Sequence, residues 1–238
     1  MGTFKNTEFI IKSSFQFPCS YIQGKFEKRL CVNILKTDSK QIISELTKKG
    51  FRRNHDHMYI PSCQGCNSCI PSRINIKDFN LSKSNKRNIK NNKDLFLIEN
   101  LKYTKNRYTL FKRYCEKRHQ SGLMKKMTES EFINFFHNSI NPTKIFDLVD
   151  KNERLYGSIL LDVLNDGYSA VYSFFNPDLK QRGLGKNIIL QLITKLKKGD
   201  CDFLYIGFWV KESKNMEYKS SFNNVEYLVN GSWNYNDS

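Results

Sequence analysis

Three cysteines stand at intervals of three residues in the segment "YIPSCQGCNSCIPSR", at Cys63, Cys66 and Cys69. Thiolates are soft metal ligands, and two cysteines separated by two residues can wrap one turn of chain around a single ion. The Gln-Gly and Asn-Ser pairs between them favour a tight loop. The spacing therefore predicts a metal site or a cluster of reduced thiols in a loop.

A tetrahedral metal site needs a fourth ligand. Cys19 in "FPCSY" is the first candidate, and His55 and His57 are rivals because neutral imidazole is also a common ligand. The segment shares CxxCxxC with bacterial ferredoxins but lacks their fourth cysteine. The predicted ligands are thus Cys19, Cys63, Cys66 and Cys69, and zinc, an iron–sulfur cluster and partly buried reduced thiols all remain open.

The charge of the chain predicts a polyanionic partner. The 238 residues include 39 Lys and Arg against 23 Asp and Glu, a formal net charge of +16. Residues 82–126 hold 14 of the basic residues and three acidic ones, so that most of the excess lies in one segment. A concentrated positive charge is typical of a surface that faces phosphates. No apolar stretch is long enough to span a membrane. With seven cysteines, too few for a disulfide scaffold, this predicts a cytoplasmic protein.

The hydrophobic pattern divides the chain into three regions. Residues 1–81 mix short strands and turns with one amphipathic helix that ends at Gly50. Residues 82–100 begin with "SKSNKRNIKNNK", which predicts a basic connector, either a surface helix or a linker. Residues 101–238 predict two helices, a meander of three strands, a glycine-containing loop that opens a helix, a strand, a short helical segment and a final strand.

The element order in residues 101–238 resembles that of a GNAT-type acyltransferase domain. The loop "LKQRGLG" resembles the acyl-donor signature of that fold, in which backbone N–H groups at a helix N-terminus bind a pyrophosphate. Lys180 takes the first position of the signature, and Gly183 and Gly185 take the glycine positions. We therefore expect an α/β (α+β) chain with a GNAT-like acyltransferase fold and a smaller N-terminal cysteine-containing region.

Seven collinear segments resemble the aminoacyl-tRNA–protein transferase family, most closely its bacterial aspartate/glutamate leucyltransferase branch, related to arginyltransferases. The segments, within residues 18–224, are "PCSYIQGKFEKRL", "GFRRNHDHMYIPSCQGCNSCIPSRI", "LSKSNKR", "LFKRYCEKRH", "GYSAVYSFFNP", "LYIGFWV" and "MEYKSSF". The resemblance implies transfer of leucine from leucyl-tRNA to the N-terminal α-amine of proteins that start with Asp or Glu, which marks them for degradation. We expect no membrane partner, because the chain has no apolar stretch of membrane-spanning length.

Three alternatives remain open at this point. The first is arginyl transfer by the same chemistry, the second a coenzyme A-dependent N-acetyltransferase, and the third a non-enzymatic tRNA-binding module. An aminoacyl ester is already activated, so the transfer requires no cofactor and no nucleophilic side chain. A structural zinc ion or iron–sulfur cluster remains possible.

Candidate site residues follow from the matching segments and from the needs of the reaction. The reaction needs proton transfer and stabilisation of the oxyanion, and the catalytic candidates for this are Asp162, Tyr172 and Tyr205 on strands of the GNAT-like part, with a structural role for each left open. His119 is an alternative base. An acidic acceptor needs a cation, which Arg52, Arg53, Arg73 or Lys219 can supply. The predicted tRNA-binding residues are Lys83, Lys86, Arg87, Lys112, Arg113, Arg118, Gly183 and Gly185.

Overall fold

This computed structural model describes residues 10–34, 39–118 and 123–235. These ranges contain fourteen strands and five α-helices. The elements before residue 80 are β1 Ile11–Ser13, β2 Phe17–Pro18, β3 Phe26–Glu27, β4 Arg29–Asn33, α1 Ser39–Lys48, β5 Arg52–Asn54, β6 His57–Pro61 and β7 Ile70–Asn75. Those after it are α2 Lys83–Asn91, β8 Leu95–Glu99, α3 Lys105–Arg118, α4 Glu129–His137, β9 Thr143–Asp150, β10 Leu155–Val163, β11 Gly167–Phe175, α5 Leu184–Leu196, β12 Phe203–Trp209, β13 Val225–Val229 and β14 Ser232–Tyr235. Residues 123–126, 180–182 and 214–221 form 3-10 turns.

An eight-stranded mixed sheet is the centre of the structure. Its strand order is β14-β13-β7-β12-β11-β10-β9-β8. The strands β11 and β12 run parallel, and the other neighbours in this sheet are antiparallel. A four-stranded sheet of order β1-β4-β6-β5 and the short ribbon of β2 and β3 complete the strand pairing of the described residues. The mixed α/β class and the expected order of helices and strands are confirmed through β13, and the additional strand β14 was not expected.

Helices cover both faces of the large sheet. The apolar side of α5, with Leu184, Ile188 and Leu192 fully buried, packs over one face. Phe111 of α3 and Phe132 and Phe136 of α4 pack over the other. Burial of such aromatic side chains supplies a large part of the stability of a core. No helix in the described ranges is both long and apolar enough to cross a bilayer.

The segment "TESEFINFFHN" predicts a helix that begins with a Thr-x-x-Glu capping box, and the structure confirms it. The helix α4 begins with a capping box, in which the Thr128 N–H donates to Glu131 at 2.7 Å and the Glu131 N–H donates to Thr128 Oγ1 at 3.3 Å. The segment after Ser82 is a helix and not a linker, because the Ser82 hydroxyl accepts the N–H of Asn85 and caps α2.

The strand β7 joins the predicted N-terminal region to the predicted GNAT-like region. It lies between β12 and β13 and pairs antiparallel with both. The strand β8, from the predicted connector, forms the opposite edge of the same sheet. All three predicted regions therefore contribute strands to one sheet.

A buried ion pair fastens α3 to that sheet. Arg107 has no exposed surface, and its guanidinium donates to both oxygens of Asp147 on β9, at 3.0 and 2.7 Å. The backbone carbonyls of Asn100 and Lys102 accept further bonds from it. Full hydrogen bonding is what makes a buried charge tolerable, so this cluster is structural.

Candidate functional site

The strands β11 and β12 separate into an open gap. They pair only at the start, from Gly167 opposite Phe203 to Ser169 opposite Tyr205, although β11 continues to Phe175. Beyond that point each strand stays paired on its outer side, with β10 and with β7 respectively. The facing edges therefore present main-chain groups that have no partner strand. We call this space the strand gap.

Arg52 of β5 enters the strand gap from the smaller sheet. One guanidinium nitrogen donates to the Val171 carbonyl at 3.2 Å, and the Cζ atom lies 5.6 Å from the ring centre of Phe208. Among the described residues no acidic side chain forms an ion pair with Arg52. A partly buried guanidinium with unused N–H donors and no counter-ion can bind a carboxylate in bidentate fashion.

The two other predicted arginines already have carboxylate partners. The Nε atom of Arg53 donates to both oxygens of Asp162, at 2.9 and 2.8 Å, with 1% of either side chain exposed. Arg73 donates to Glu226 at 2.7 Å, and its Cζ lies 3.6 Å from the ring centre of Phe203. Among the predicted arginines, Arg52 is therefore the best placed to receive an acidic substrate group.

Lys219 lies beside Arg52 and is more deeply buried. Its Nζ donates to the Phe208 carbonyl at 2.6 Å, and the residue is 4% exposed. Burial, followed by the positive charge of Arg52, lowers the pKa of Lys219 well below its ordinary value. This favours the uncharged amine, which supports the main chain next to the strand gap better than it would bind a carboxylate.

The three predicted catalytic residues do not meet at one point. The two oxygens of Asp162 are taken by Arg53. The Tyr172 hydroxyl lies 3.7 Å from the Cys115 sulfur, and burial raises its pKa well above the ordinary value. The Tyr205 hydroxyl donates to Asp166 at 3.0 Å. Structural roles account for all these contacts, and a catalytic role for any of the three stays a prediction.

Asp162→Ala tests whether that carboxylate is structural. Its removal leaves the Arg53 charge buried with a single backbone acceptor, the His55 carbonyl at 2.9 Å. We expect the free energy of unfolding, measured by urea titration, to fall by about 3–5 kcal/mol. The activity of each folded molecule should remain within a few-fold of wild type. Normal stability combined with lost transfer would instead assign catalysis to Asp162.

The four predicted metal ligands gather around one loop. Cys66 accepts a hydrogen bond from Lys25 at 3.8 Å, and Cys19 accepts the N–H of Tyr21 at 3.4 Å. Burial, with the negative charges of Cys19, Glu27, Cys63 and Cys66, raises the pKa of Cys69 to about 12. The Cys19 N–H also donates to the Lys25 carbonyl at 2.8 Å, so the lysine that contacts Cys66 lies beside Cys19.

These thiols are not arranged as a formed metal site. In the described part of the chain, no group of three or more His, Cys, Asp or Glu side chains has the geometry of a metal site. The rival ligands belong to the β5–β6 hairpin: His55 packs on the ring of Phe135 at 4.8 Å, and His57 lies 3.6 Å from Asp56. The zinc or iron–sulfur site stays a prediction, and no catalytic step depends on it.

The thiols of Cys66 and Cys69 should differ strongly in reactivity. Hydrogen bonds from the backbone and side chain of Ser68 lower the pKa of Cys66, whereas that of Cys69 is raised. The thiolate is the reactive form, so at pH 8 a larger fraction of Cys66 than of Cys69 is reactive. Iodoacetamide should therefore modify Cys66 faster, by about tenfold, as followed by peptide mass spectrometry of chelator-treated protein. Equal rates would contradict the described loop.

The helix α2 closes the glycine loop in front of α5. Asn88 donates to the carbonyls of Arg182 and Gly183, both at 3.2 Å, and a Cβ on Gly183 would lie 2.9 Å from that amide. A Cβ on Gly185 would lie 2.7 Å from the ring of Phe175. Both glycines thus have packing roles that explain the absence of side chains. Their predicted contact with tRNA stays a prediction.

The exposed side of α2 carries the free positive charge. Its lysines and arginine, and one lysine just beyond the helix, are exposed. None of them forms an ion pair with an acidic side chain of the described ranges. The five residues are Lys83, Lys86, Arg87, Lys90 and Lys93. We call these five residues the α2 basic face. The sequence prediction included the first three of them.

The cations predicted on α3 are less available. Arg113 forms an ion pair with Asp178, and Lys112 donates to the Lys125 carbonyl at 2.6 Å. Arg118 is exposed, with its Cζ 5.8 Å from the ring centre of Phe175. His119, the alternative base, lies outside the described residues. The α2 basic face is therefore the stronger candidate for an RNA contact.

Sequence reasoning missed Gly207, which lies directly beneath Arg52. Its φ is +78°, and the pairing of β12 with β7 shifts register between Tyr205 and Gly207. A glycine inside an apolar strand pattern, as in "LYIGFWV", is a signal for a bulge or a close approach of another group. That signal was present in the sequence, but it did not indicate that the approaching group is Arg52.

Two family models match the chain. Residues 17–87 match the model described as "Arginine-tRNA-protein transferase, N terminus", and residues 106–229 match "Arginine-tRNA-protein transferase, C terminus". Aspartate/glutamate leucyltransferase of Granulibacter bethesdensis is 36% identical over 91% of this chain and 81% of its own length. The protein of the same name from Alcanivorax borkumensis is 35% identical over 90% and 89%. A solved GCN5-related glucosamine N-acetyltransferase region from a fungal enzyme aligns with a TM-score of 0.44 and 10% identity, over 82% of this chain and 22% of that one.

Proposed function

Because the chain belongs to the arginine-tRNA-protein transferase family, we propose that it moves an aminoacyl group from a charged tRNA to the N-terminal α-amine of a protein that begins with Asp or Glu. Leucine is the proposed aminoacyl group. The observation that carries this choice is the match, at about 35% identity over nine-tenths of the chain, to proteins named aspartate/glutamate leucyltransferase.

Arg52 is the proposed binding group for the side chain of the acceptor. Its guanidinium is charged at all physiological pH values and has no carboxylate partner in the described structure. The acidic side chain of the incoming N-terminus would provide that partner within the strand gap. Because an arginine–carboxylate pair in a partly dry site is strongly directional, it also orients the neighbouring α-amine.

The chemistry asks little of the protein beyond positioning. The ammonium group first loses one proton to solvent, and the free amine attacks the carbonyl carbon of the aminoacyl ester. A C–N bond forms, the C–O bond to the ribose breaks, and the second proton lost by the nitrogen goes to the ribose oxygen. An α-amino group has a pKa of about 7.7–8.0, so its deprotonation needs modest help. Unpaired main-chain N–H groups along the facing edges of β11 and β12 are the proposed donors to the oxyanion.

Two features favour tRNA over coenzyme A as the acyl donor. Asn88 and Phe175 occupy the space beside the two glycines of the predicted pyrophosphate loop. The α2 basic face lies on the same helix as Asn88, so a tRNA backbone that binds there stays next to the start of α5. Phosphate contacts from lysine and arginine supply affinity that falls steeply with salt.

The proposed product is a protein with an additional N-terminal leucine, which serves as a degradation signal. This role places the reaction among proteins of the cytoplasm, and both the role and the location stay predictions. A reporter with an exposed N-terminal Asp should lose stability in cells that express this chain and retain it in cells that do not.

A transfer assay with a panel of donors tests the proposal. Purified protein is incubated with radiolabelled leucyl-tRNA, arginyl-tRNA or acetyl-coenzyme A, and with peptides that start with Asp, Glu, Asn or Lys. We expect labelled leucine on the Asp and Glu peptides. Arginine on those peptides would change the donor, acetyl transfer would favour the coenzyme A alternative, and tRNA binding without transfer would favour a binding module.

A further inference from the structure

Gly207 has a left-handed conformation in the middle of a buried strand. Three other glycines with positive φ, Gly24, Gly65 and Gly231, have open space where a side chain would be, and Gly231 has nearly the same φ, +79°. Gly207 has φ +78° and no such space. A bulge of this kind next to a functional gap commonly re-aims a neighbouring side chain. Here the bulge brings the backbone itself close to Arg52.

The space above Gly207 is filled by one guanidinium. A Cβ at this position would lie 2.6 Å from the Cζ of Arg52 and 2.8 Å from both its Nε and one terminal nitrogen. The three nearest atoms therefore all belong to the charged group that we propose as the acceptor-binding residue. The hydrogen bond to the Val171 carbonyl holds this group from the opposite side of the strand gap.

The main chain around Gly207 is held in place on both sides. The Ser72 hydroxyl donates to the Gly207 carbonyl at 2.7 Å, and Lys219 donates to the Phe208 carbonyl at 2.6 Å. Since the Ser72 and Lys219 side chains are both buried, the backbone has little freedom to move away. A side chain at position 207 would displace Arg52 and leave the strand where it is.

We propose that Gly207 is a positioning residue that sets the preference for acidic acceptors, because the absence of its side chain admits the Arg52 guanidinium to the strand gap. The acceptor is a peptide N-terminus whose first side chain is a carboxylate. This inference rests on the proposed function. It adds that acid selectivity depends on a residue that itself makes no contact with the carboxylate.

The test compares Gly207→Ala with Gly231→Ala, its matched control. Both changes put alanine at nearly the same positive φ, but only the first brings the new Cβ against Arg52. Acid selectivity is measured as the ratio of kcat/KM for an Asp-starting peptide to that for an Asn-starting peptide. We expect Gly207→Ala to lower kcat/KM for the Asp peptide by about 100-fold and to bring the ratio towards one. KM for leucyl-tRNA should stay within about twofold, and Gly231→Ala should retain the wild-type ratio.

A double-mutant cycle isolates the coupling. In an Arg52→Met background, Gly207→Ala should cause no further change in the ratio, because the displaced group is already absent. If Gly207→Ala does not fold, Ser72→Ala serves instead: it frees the Gly207 carbonyl without adding an atom and should lower the ratio by about fivefold. A wild-type ratio in folded Gly207→Ala, or in Ser72→Ala, overturns the inference, as does an additive cycle. Absence of transfer by the wild-type protein would overturn the proposed function instead.

Discussion

Arg52→Met is expected to lower kcat/KM for Asp- and Glu-starting peptides by about 100-fold or more. Removing one member of a desolvated, hydrogen-bonded charge pair costs roughly 2–5 kcal/mol, and each 1.4 kcal/mol is tenfold. Methionine keeps much of the aliphatic volume, so the contact with Phe208 is largely retained. Transfer to an Asn-starting peptide, which has no carboxylate to pair, should change far less.

Arg154→Met is the control for that result. Arg154 is exposed in the turn between β9 and β10, so its replacement removes a guanidinium in the same way but outside the strand gap. The measurement is initial rates with each peptide at saturating leucyl-tRNA, together with melting temperatures for both variants. If Arg52→Met keeps the wild-type preference for Asp over Asn, Arg52 is not the acceptor-binding group, and the displacement proposed for Gly207 loses its consequence.

Replacing Lys83, Lys86 and Arg87 by glutamine should weaken binding of leucyl-tRNA by one to two orders of magnitude near physiological salt. Binding weakens as salt rises, and each lost phosphate contact makes the slope of log affinity against log salt shallower by about 0.9. The triple change should therefore reduce the magnitude of the slope by about 2–3. Glutamine has nearly the helix propensity of lysine and arginine, and α2 should persist. Filter binding across a salt series measures the effect.

Arg113→Gln with Lys117→Gln provides the matched control for the triple variant. Both side chains already form ion pairs with Asp178, so their charges are partly neutralised before any RNA binds. We expect a smaller change in salt slope than that caused by the changes on α2. A triple variant with the wild-type slope would remove the α2 basic face from the tRNA-binding surface, whatever its effect on the rate of transfer.

Local signals in the sequence predicted local structure well. Thr128 and Glu131 lie three residues apart, and their capping box forms with partners that the sequence itself places next to each other. Ser82 also caps α2 locally, although the sequence left a helix and a linker open for that segment. The charge excess of residues 82–126 likewise predicted an exposed basic surface, because unpaired lysines and arginines remain in water.

Partners distant in sequence could not be predicted in the same way. Arg52 and Arg53 are adjacent and chemically identical, and strand geometry places them on opposite faces of β5. Arg53 pairs with Asp162 of β10, and Arg52 enters the strand gap and donates to the Val171 carbonyl of β11. Each contact joins residues that lie more than a hundred positions apart in the chain. Asp162 had the right chemistry for catalysis, but burial beside Arg53 gives it a structural partner.

The position of β7 in the sheet affects how this protein folds during synthesis on the ribosome. Ser72 and Gly207, whose side chain and carbonyl meet across β7 and β12, are 135 residues apart in the chain. The strand β7 is synthesised long before β12 and β13, and its backbone has no partner strand on either edge until those two strands have been made. Loop closure over such a distance is slow, and exposed strand edges invite association with other chains. The strand gap is therefore assembled late in synthesis, so a truncated nascent chain has no site at which to use charged tRNA.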